Sequence, residues 1–484
     1  MSSHTPDPSQ KQLGLFLSLL PLIALIAMLS VVISIFGSDS LSGGSQIVLL
    51  TSSALCFLVA RIACKTPWKH FEQAITHNIT SVSTALILLL LIGALSGSWM
   101  ISGIVPTLIY YGMQILHPSF FLVSCCLICA LVSVMTGSSW TTVATIGIAL
   151  IGIGRAQGFD DGWIAGAIIS GAYFGDKISP LSDTTVLASS VSQVPLFRHI
   201  RYMLITTVPS MLIALGVFFV AGLSHPMEHT ERIAEVAAGL QQRFHISLWL
   251  MLVLVATGLL IAKKVPPLIT LFLSTLMATI FALFFQSDLL LEIAGAAESS
   301  WQALTQGALT MVYGSTHLQV ADAELAELIS TRGMSGMMST VWLILCAMCF
   351  GGAMTASGMT DSITRFFRRF ARNRTGMVSS TICSGVFMNI TSADQYLSII
   401  LTSSMFRPIY EREGYENRLL SRTTEDAVTV TSVLIPWNTC GMTQATILGV
   451  PTLTYLPYCV FNYASPLISI LIAATGYKIF RRKP

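Results

Sequence analysis

Four short stretches of this chain put oxygen-bearing side chains into otherwise apolar surroundings. The first is Gly137-Ser138-Ser139-Trp140-Thr141-Thr142. Small hydroxyl residues at a turn expose hydroxyl and carbonyl oxygens, which suit a hard cation such as sodium, and a helix-terminus dipole adds to them. The plainer reading is a Ser/Thr-rich helix contact that lets two backbones approach. The second stretch, Asn389-Ile390-Thr391-Ser392-Ala393-Asp394-Gln395, supplies amide, hydroxyl and carboxylate oxygens together. On the topology derived below Asp394 is an intramembrane carboxylate. Such a group costs about 2.5–3.5 kcal/mol on insertion scales and usually faces a cavity. The alternative is an Asp at a helix end near the interface.

The third stretch runs from Gly175 through Asp176-Lys177-Ile178-Ser179-Pro180-Leu181-Ser182-Asp183 to Thr184-Thr185. Asp176 ends a small-residue helix, and Lys177 reads as its partly neutralising neighbour. Asp183 either offers oxygens or caps the next half-helix. A carboxylate with little water around it can exchange a proton for a cation, the least that antiport requires. The fourth stretch is Leu434-Ile435-Pro436-Trp437-Asn438-Thr439-Cys440-Gly441. Glu425-Asp426 precede it and are expected to begin an apolar helix, Ala427–Ile435. They either line a substrate path or are ordinary first-turn acids at the cytoplasmic interface. The expected ion or proton ligands are therefore Asp176, Asp183, Asp394, Ser182, Asn389, Thr391, Ser392, Asn438, Thr439, Ser138 and Thr141. The expected substrate-lining residues are Lys177, Trp140, Trp437, Glu425 and Asp426.

The elements that must hold these residues follow from composition. Of 484 residues 53% are hydrophobic and only 10% are charged, against about 25% charged in soluble proteins. Lipid must be the main solvent. A formal net charge of +3 implies no nucleic-acid partner. All ten cysteines lie in or next to apolar runs. Cys125, Cys126 and Cys129 have no histidine nearby, so they read as buried thiols and no transition metal or cofactor is expected. No His cluster, nucleophile elbow or P-loop points to an enzyme.

Long apolar runs predict spans at about 13–36, 46–64, 79–97, 119–136, 200–223, 246–262, 266–285, 340–358 and 455–477. The first is too long for a signal-peptide core and has no small-residue cleavage site. Two regions, 137–195 and 389–451, are apolar but broken by Gly, Pro, Asp and Asn. A lipid-facing helix does not tolerate this, because the freed backbone groups would go unpaired. Basic residues cluster at Arg61, Lys65 and Lys69, at Arg198 and Arg201, at Lys263-Lys264, at Arg365 to Arg374, and at Lys478 to Lys483. All are expected to be cytoplasmic. The loops 37–45, 224–244 and 286–339 are poor in basic residues or lean acidic, so they should face out. This requires residues 290–312 to form an amphipathic or re-entrant helix that does not cross. Both termini then lie inside.

A shift of 256 residues aligns Gly158 with Gly414, Pro180 with Pro436, Val194-Pro195 with Val450-Pro451 and Trp140 with Tyr396. At a shift of 259, Gly93-Ala94-Leu95-Ser96 meets Gly352-Ala353-Met354-Thr355. The loop before the first copy is basic, whereas the one before the second carries Asp322, Glu324 and Glu327 against Arg332. Arg407, Arg412, Arg418 and Arg422 surround Gly414, with one Arg around Gly158. The two copies should therefore enter from opposite sides. The fold class expected is an all-α polytopic membrane protein, an inverted-topology repeat with broken helices and re-entrant hairpins. Its parts are residues 1–78, two N-terminal spans; 79–223, the first copy; 224–339, an external loop, two connecting spans and the amphipathic segment; and 340–484, the second copy and last span. Paired breaks place a substrate site near the midplane.

Gly137-Ser-Ser-Trp140-Thr-Thr, Gly175-Asp-Lys-Ile-Ser-Pro-Leu-Ser-Asp-Thr-Thr185, Glu425-Asp426, Pro436-Trp-Asn-Thr-Cys-Gly441 and Tyr455-Leu-Pro-Tyr458 with Phe461-Asn462 resemble the NhaC family of sodium/proton antiporters. The similarity runs from about residue 75 to about residue 470. Ala427 stands where relatives often have another small residue. The resemblance implies exchange of Na+ for H+ in the cell inner membrane. The family also holds malate/lactate antiporters and amino-acid carriers, so a coupled carrier of a small organic anion or amino acid is the alternative. Lipid is the expected surrounding, and a homodimer is an allowed assembly.

Overall fold

The computed structural model describes residues 13–36, 43–224, 230–263, 265–296, 298–318, 325–326 and 329–481. Expectations for Asp322, Glu324, Glu327, Lys264, Arg482 and Lys483 lie outside them. Eight described helices are long and apolar enough to cross a membrane, or up to ten if two bent pairs each count as one span. The apolar runs explain most of them directly: Leu15–Phe36, Gly44–Cys64, Pro118–Thr136, Leu196–Leu223 and Pro267–Phe285 are strongly apolar, and less than half of each is buried inside the protein. Ser139–Ala156 is long enough to cross but 83% of it is buried inside the protein. That is the condition under which small, hydroxyl-rich helices survive in a membrane. Among the described residues, β-structure amounts to two isolated bridges, Thr316 to Thr331 and Tyr415 to Arg481.

The 256-residue repeat extends to the backbone. Pro118–Thr136 and Arg374–Ser392 both have 19 residues, N-capped by the side chains of His117 and Asn373. Both end on a left-handed residue, Gly137 (φ 69°) and Ala393 (φ 56°). Ser138 and Asp394 then cap the returning helices Ser139–Ala156 and Gln395–Arg412. Each pair is a helical hairpin with a polar tip. Left-handed Gly158 (φ 79°) and Gly414 (φ 75°) follow at the same offset. Broken helices come next. Asp161–Ile178 stops before Pro180, and Asp183–Val191 resumes behind Ser182. In the second copy the helix loses its regular form before Pro436, and Thr439–Leu448 resumes behind Asn438. Gln193 (φ 57°) and Gly449 (φ 65°) close the set. Proline explains the breaks, because it removes a donor and clashes with the preceding turn.

Three expectations shift. The span expected from residue 79 starts at Ser83, after a turn at Val82 that ends a separate amphipathic helix, Trp68–Ser81. Residues 290–312 are two short helices, Ser287–Ala294 and Trp301–Tyr313, packed on each other. Their approach needs Gly307, where a Cβ would lie 2.1 Å from the Leu290 carbonyl. The span at 246–262 is bent by 81° from the helix before it. The copies also exchange packing partners: Gly44–Cys64 rests on Met338–Ala356, and Pro267–Phe285 rests on Ser83–Ile101.

Candidate functional site

Asp176 sits one turn before the first broken helix unwinds and is 6% exposed. Its carboxylate accepts a hydrogen bond from Ser139 Oγ at 2.7 Å and another from Ser182 Oγ at 2.7 Å. One of those hydroxyls belongs to the hairpin tip and the other to Ser182, the residue before the half-helix beyond Pro180. Asp176 thus joins the two breaks of the first copy. The Thr185 hydroxyl donates to the carbonyls of Asp176 and Lys177, each at 3.0 Å, and ties off the unwound strand. The approach that permits this is made by glycine. A Cβ on Gly175 would lie 2.3 Å from Val134 N, and one on Gly171 would lie 2.1 Å from Cys126 O.

Lys177 does not neutralise Asp176, contrary to the sequence expectation. It is fully buried and pairs with Asp426 of the second copy, and its Nζ also donates to Ser465 Oγ at 2.6 Å. Thr206 Oγ1 donates to the same Asp426 oxygen at 3.0 Å. Glu425 and Asp426 do not begin a helix at the interface. They lie inside a continuous helical run that starts at Asn417, where the backbone widens into a π turn, Glu425–Thr429. Both are fully buried. Arg422, counted in the sequence among the arginines that surround Gly414, is fully buried. Its guanidinium lies 4.8 Å from the Tyr202 ring and 3.8 Å from Asp426.

The second copy's breaks are built from amides. In and just past the π turn, neighbouring side chains donate to main-chain carbonyls. Asn389 Nδ2 donates to Val428 O at 2.8 Å, Gln395 Nε2 to Thr429 O at 3.1 Å, and Asn462 Nδ2 to Val430 O at 2.7 Å. Tyr455 OH donates to Val433 O at 2.9 Å. This is how a broken helix survives without water. Asp394 is 1% exposed and caps its helix through Leu397 N at 2.8 Å, with Thr439 Oγ1 at 3.4 Å. Asn438 caps Cys440 N and donates to Asn389 O at 3.0 Å. Trp437 Nε1 donates to Ile390 O at 2.8 Å.

The remaining candidates separate. Ser138 caps the tip helix through Thr141 N, and Thr141 Oγ1 bonds back to Ser138 Oγ at 3.2 Å. Thr391 bonds a carbonyl of its own helix, whereas Ser392 Oγ also reaches across the tip to Asp394 O at 3.0 Å and Ser398 Oγ at 2.7 Å. Asp183 is exposed at the start of its half-helix, where Ser182 holds the capping position. Trp140 is half-buried near Cys440. Tyr396 lies within electrostatic range of Asp176, Asp183 and Asp394, so the tips of both copies converge. Sequence reasoning missed Arg422 as an interior group, and it missed Ser465 and Thr206 as partners of Asp426. A lone Ser or Thr inside an apolar span carries no signal of what it touches. Among the described residues, no group of three His, Cys, Asp or Glu side chains is arranged to hold a metal ion.

The chain is 34% identical over 429 residues to the Na(+)/H(+) antiporter NhaC of Bacillus subtilis, covering 88% of this chain and 90% of that one. It is 34% identical over 440 residues to the malate-2H(+)/Na(+)-lactate antiporter of the same organism, covering 90% and 91%. It is 33% identical over 471 residues to the arginine/ornithine antiporter ArcD of Halobacterium salinarum, covering 96% and 93%. The model of the Na+/H+ antiporter family matches residues 12–187 and 171–477. With nearly the whole length matched and the paired breaks in place, the chain belongs to the Na+/H+ antiporter family.

Proposed function

We propose that this chain exchanges Na+ for H+ across the cell inner membrane, with Asp176 as the carboxylate that receives the sodium ion. The observation that carries the reading is the position of Asp176: buried, at the junction of two helix breaks, and held by two serine hydroxyls. Those hydroxyls donate to the carboxylate and keep lone pairs free, which gives a dehydrated Na+ oxygen ligands beside a negative charge. Asp394, Asn389 and Asn438 furnish the second copy's side of the same region. The first copy spans residues 79–223 and the second 340–484, with 1–78 and 224–339 as flanking and connecting segments. Both termini face the cytoplasm, and a homodimer is an allowed assembly.

The test is Na+-dependent dissipation of a pH gradient in proteoliposomes holding the purified chain. The wild type should exchange, and Asp176→Asn should reduce exchange by about 100-fold, since the variant keeps size but cannot hold charge. Full exchange by a correctly inserted Asp176→Asn would move the role to Asp183 or Asp394.

One observation favours a second reading, a carrier of a small organic anion or amino acid. Lys177 and Arg422 are two buried cations within one cluster, more positive charge than a Na+ path needs. Labelled malate, lactate and arginine uptake measured in the same vesicles separates the readings.

A further inference from the structure

Glu425 is the buried acid that the sodium site leaves unused. It is fully buried. Neither of its carboxylate oxygens has a hydrogen bond of ordinary geometry, and the side-chain donor that faces it is the Thr429 hydroxyl, one turn on. An ionised carboxylate in that position is costly, whereas the neutral acid is tolerated. Asp426, the next residue, has taken the local ammonium for itself.

The groups around Glu425 come from several elements. Asp176 and Lys177 of the first copy and Asp426 of its own helix lie within electrostatic range of its carboxyl. Arg422 joins through Asp426. His199 belongs to the neighbouring Leu196–Leu223 helix, bonded to Ser421 at 2.8 Å and within range of Lys177. Thr206 and Ser465 are neutral donors to Asp426. Asp183 stands at the exposed end of a half-helix that packs against the same π turn.

Charge balance follows. Lys177 and Arg422 supply two positive charges, and Asp176, Glu425 and Asp426 supply three negative ones. One monovalent cation completes the cluster. A proton on Glu425 with the Asp176 site empty gives zero net charge, as does Na+ on Asp176 with Glu425 ionised. Both together leave one positive charge in excess, and neither leaves one negative charge. A low-dielectric interior penalises the two unbalanced states.

We propose that Glu425 is the proton-carrying group of this protein, and that it exchanges its proton one for one against the sodium ion held at Asp176. The proton leaves the Glu425 carboxyl for water as Na+ enters, and returns as Na+ departs. The inference rests on the antiport reading above and adds to it the residue that couples the two ions.

The test uses the full chain in proteoliposomes, with two readouts: ²²Na+/Na+ counterflow at equal pH on both sides, and Na+-driven H+ movement. In the wild type the KM for Na+ in counterflow should fall by up to about tenfold per unit rise in pH where the proton competes. Glu425→Gln imitates the protonated acid. It should keep counterflow at saturating Na+ and lose Na+-driven H+ movement. Its KM should stay within about twofold of the wild type's acid-limit value from about pH 6.5 to about pH 9. Glu425→Asp keeps a titrating carboxyl and should restore the pH dependence. A Glu425→Gln protein whose KM still follows pH as in the wild type overturns the proposal, as does loss of counterflow in both variants. A wild type that moves no protons against sodium overturns the antiport reading itself, and this inference falls with it.

Discussion

At the scale of single residues, the Lys177–Asp426 pair makes the sharpest demand on the fold. It joins the two copies, it is fully buried, and Ser465 and Thr206 complete its hydrogen bonds. Removing one partner strands the other charge in the interior, at a cost of about 3–5 kcal/mol. We expect Lys177→Met and Asp426→Leu each to lower the detergent-solubilised melting temperature sharply. The double variant should recover only the part of the loss that belongs to this pair, because Arg422, 3.8 Å from Asp426, still loses its carboxylate. A thermal-shift double-mutant cycle measures this, and additive losses would show that the two residues act independently. The pair also marks where residue-level reading of the sequence stopped. That Asp176, Lys177, Glu425 and Asp426 carry unusual charge in an apolar chain was legible. Which cation meets which carboxylate was not, because Lys177 and Asp426 lie 249 positions apart and only packing brings them together. Arg422 misled for the converse reason: loop charge and buried charge look alike when the helix start at Asn417 is unknown.

At the scale of elements, the hairpin tips and broken helices depend on close backbone approach. The Asp161–Ile178 helix touches Pro118–Thr136 through Gly171 and Gly175, where added methyl groups would meet main-chain atoms at 2.1 and 2.3 Å. Main chain cannot give way as a flexible side chain can, so overpacking here costs about 1–3 kcal/mol or more. Gly175→Val should push Asp176 away from Ser139 and reduce Na+/H+ exchange at least tenfold. Gly216→Val, on an open face with nothing near its Cβ position, should leave exchange within about twofold. Exchange assays on protein normalised for insertion compare the two, and equal losses would refute the packing argument. Element boundaries were readable where polarity changed abruptly, as at Pro118–Thr136. They were not readable where the backbone alone changed. The π turn at Glu425–Thr429 carries Glu425, Asp426 and Thr429 within a helical run, and nothing in those residue types separates a π turn from an ordinary helix.

At the scale of the whole molecule, the offset of 256 residues organises caps, left-handed residues and prolines along a pair of matching structures. The placement of basic residues is the ground for expecting them to enter the membrane from opposite sides. We expect a cysteine at Arg369 or Lys478 to react with membrane-permeant but not impermeant maleimide in intact cells, and one at Gln241 to react with both. The background must lack the native thiols, since Cys383 is exposed. Impermeant labelling at Lys478 would reverse the topology. The repeat was legible from four landmarks because glycine and proline are fixed by backbone geometry, which both copies share. The charged interior was not, because the copies differ there: Ile169 and Ser170 stand where the second copy has Glu425 and Asp426.

The four carbonyls that Asn389, Gln395, Asn462 and Tyr455 take up bear on how this protein is made. A nascent segment from Asn417 to Leu448 carries Arg418, Arg422, Glu425 and Asp426, and a charge at mid-helix adds about 2.5–3.5 kcal/mol to transfer from the translocon into lipid. Two of its amide donors, Asn389 and Gln395, are synthesised before it, while Asn462 and Tyr455 emerge after it. The segment therefore enters the bilayer as a poor substrate for insertion and becomes stable only when the following helix arrives. Chains truncated after Leu448 should be retained by quality control or degraded, whereas chains extended through Thr475 should accumulate. Membrane abundance of a nested truncation series would trace that order of assembly.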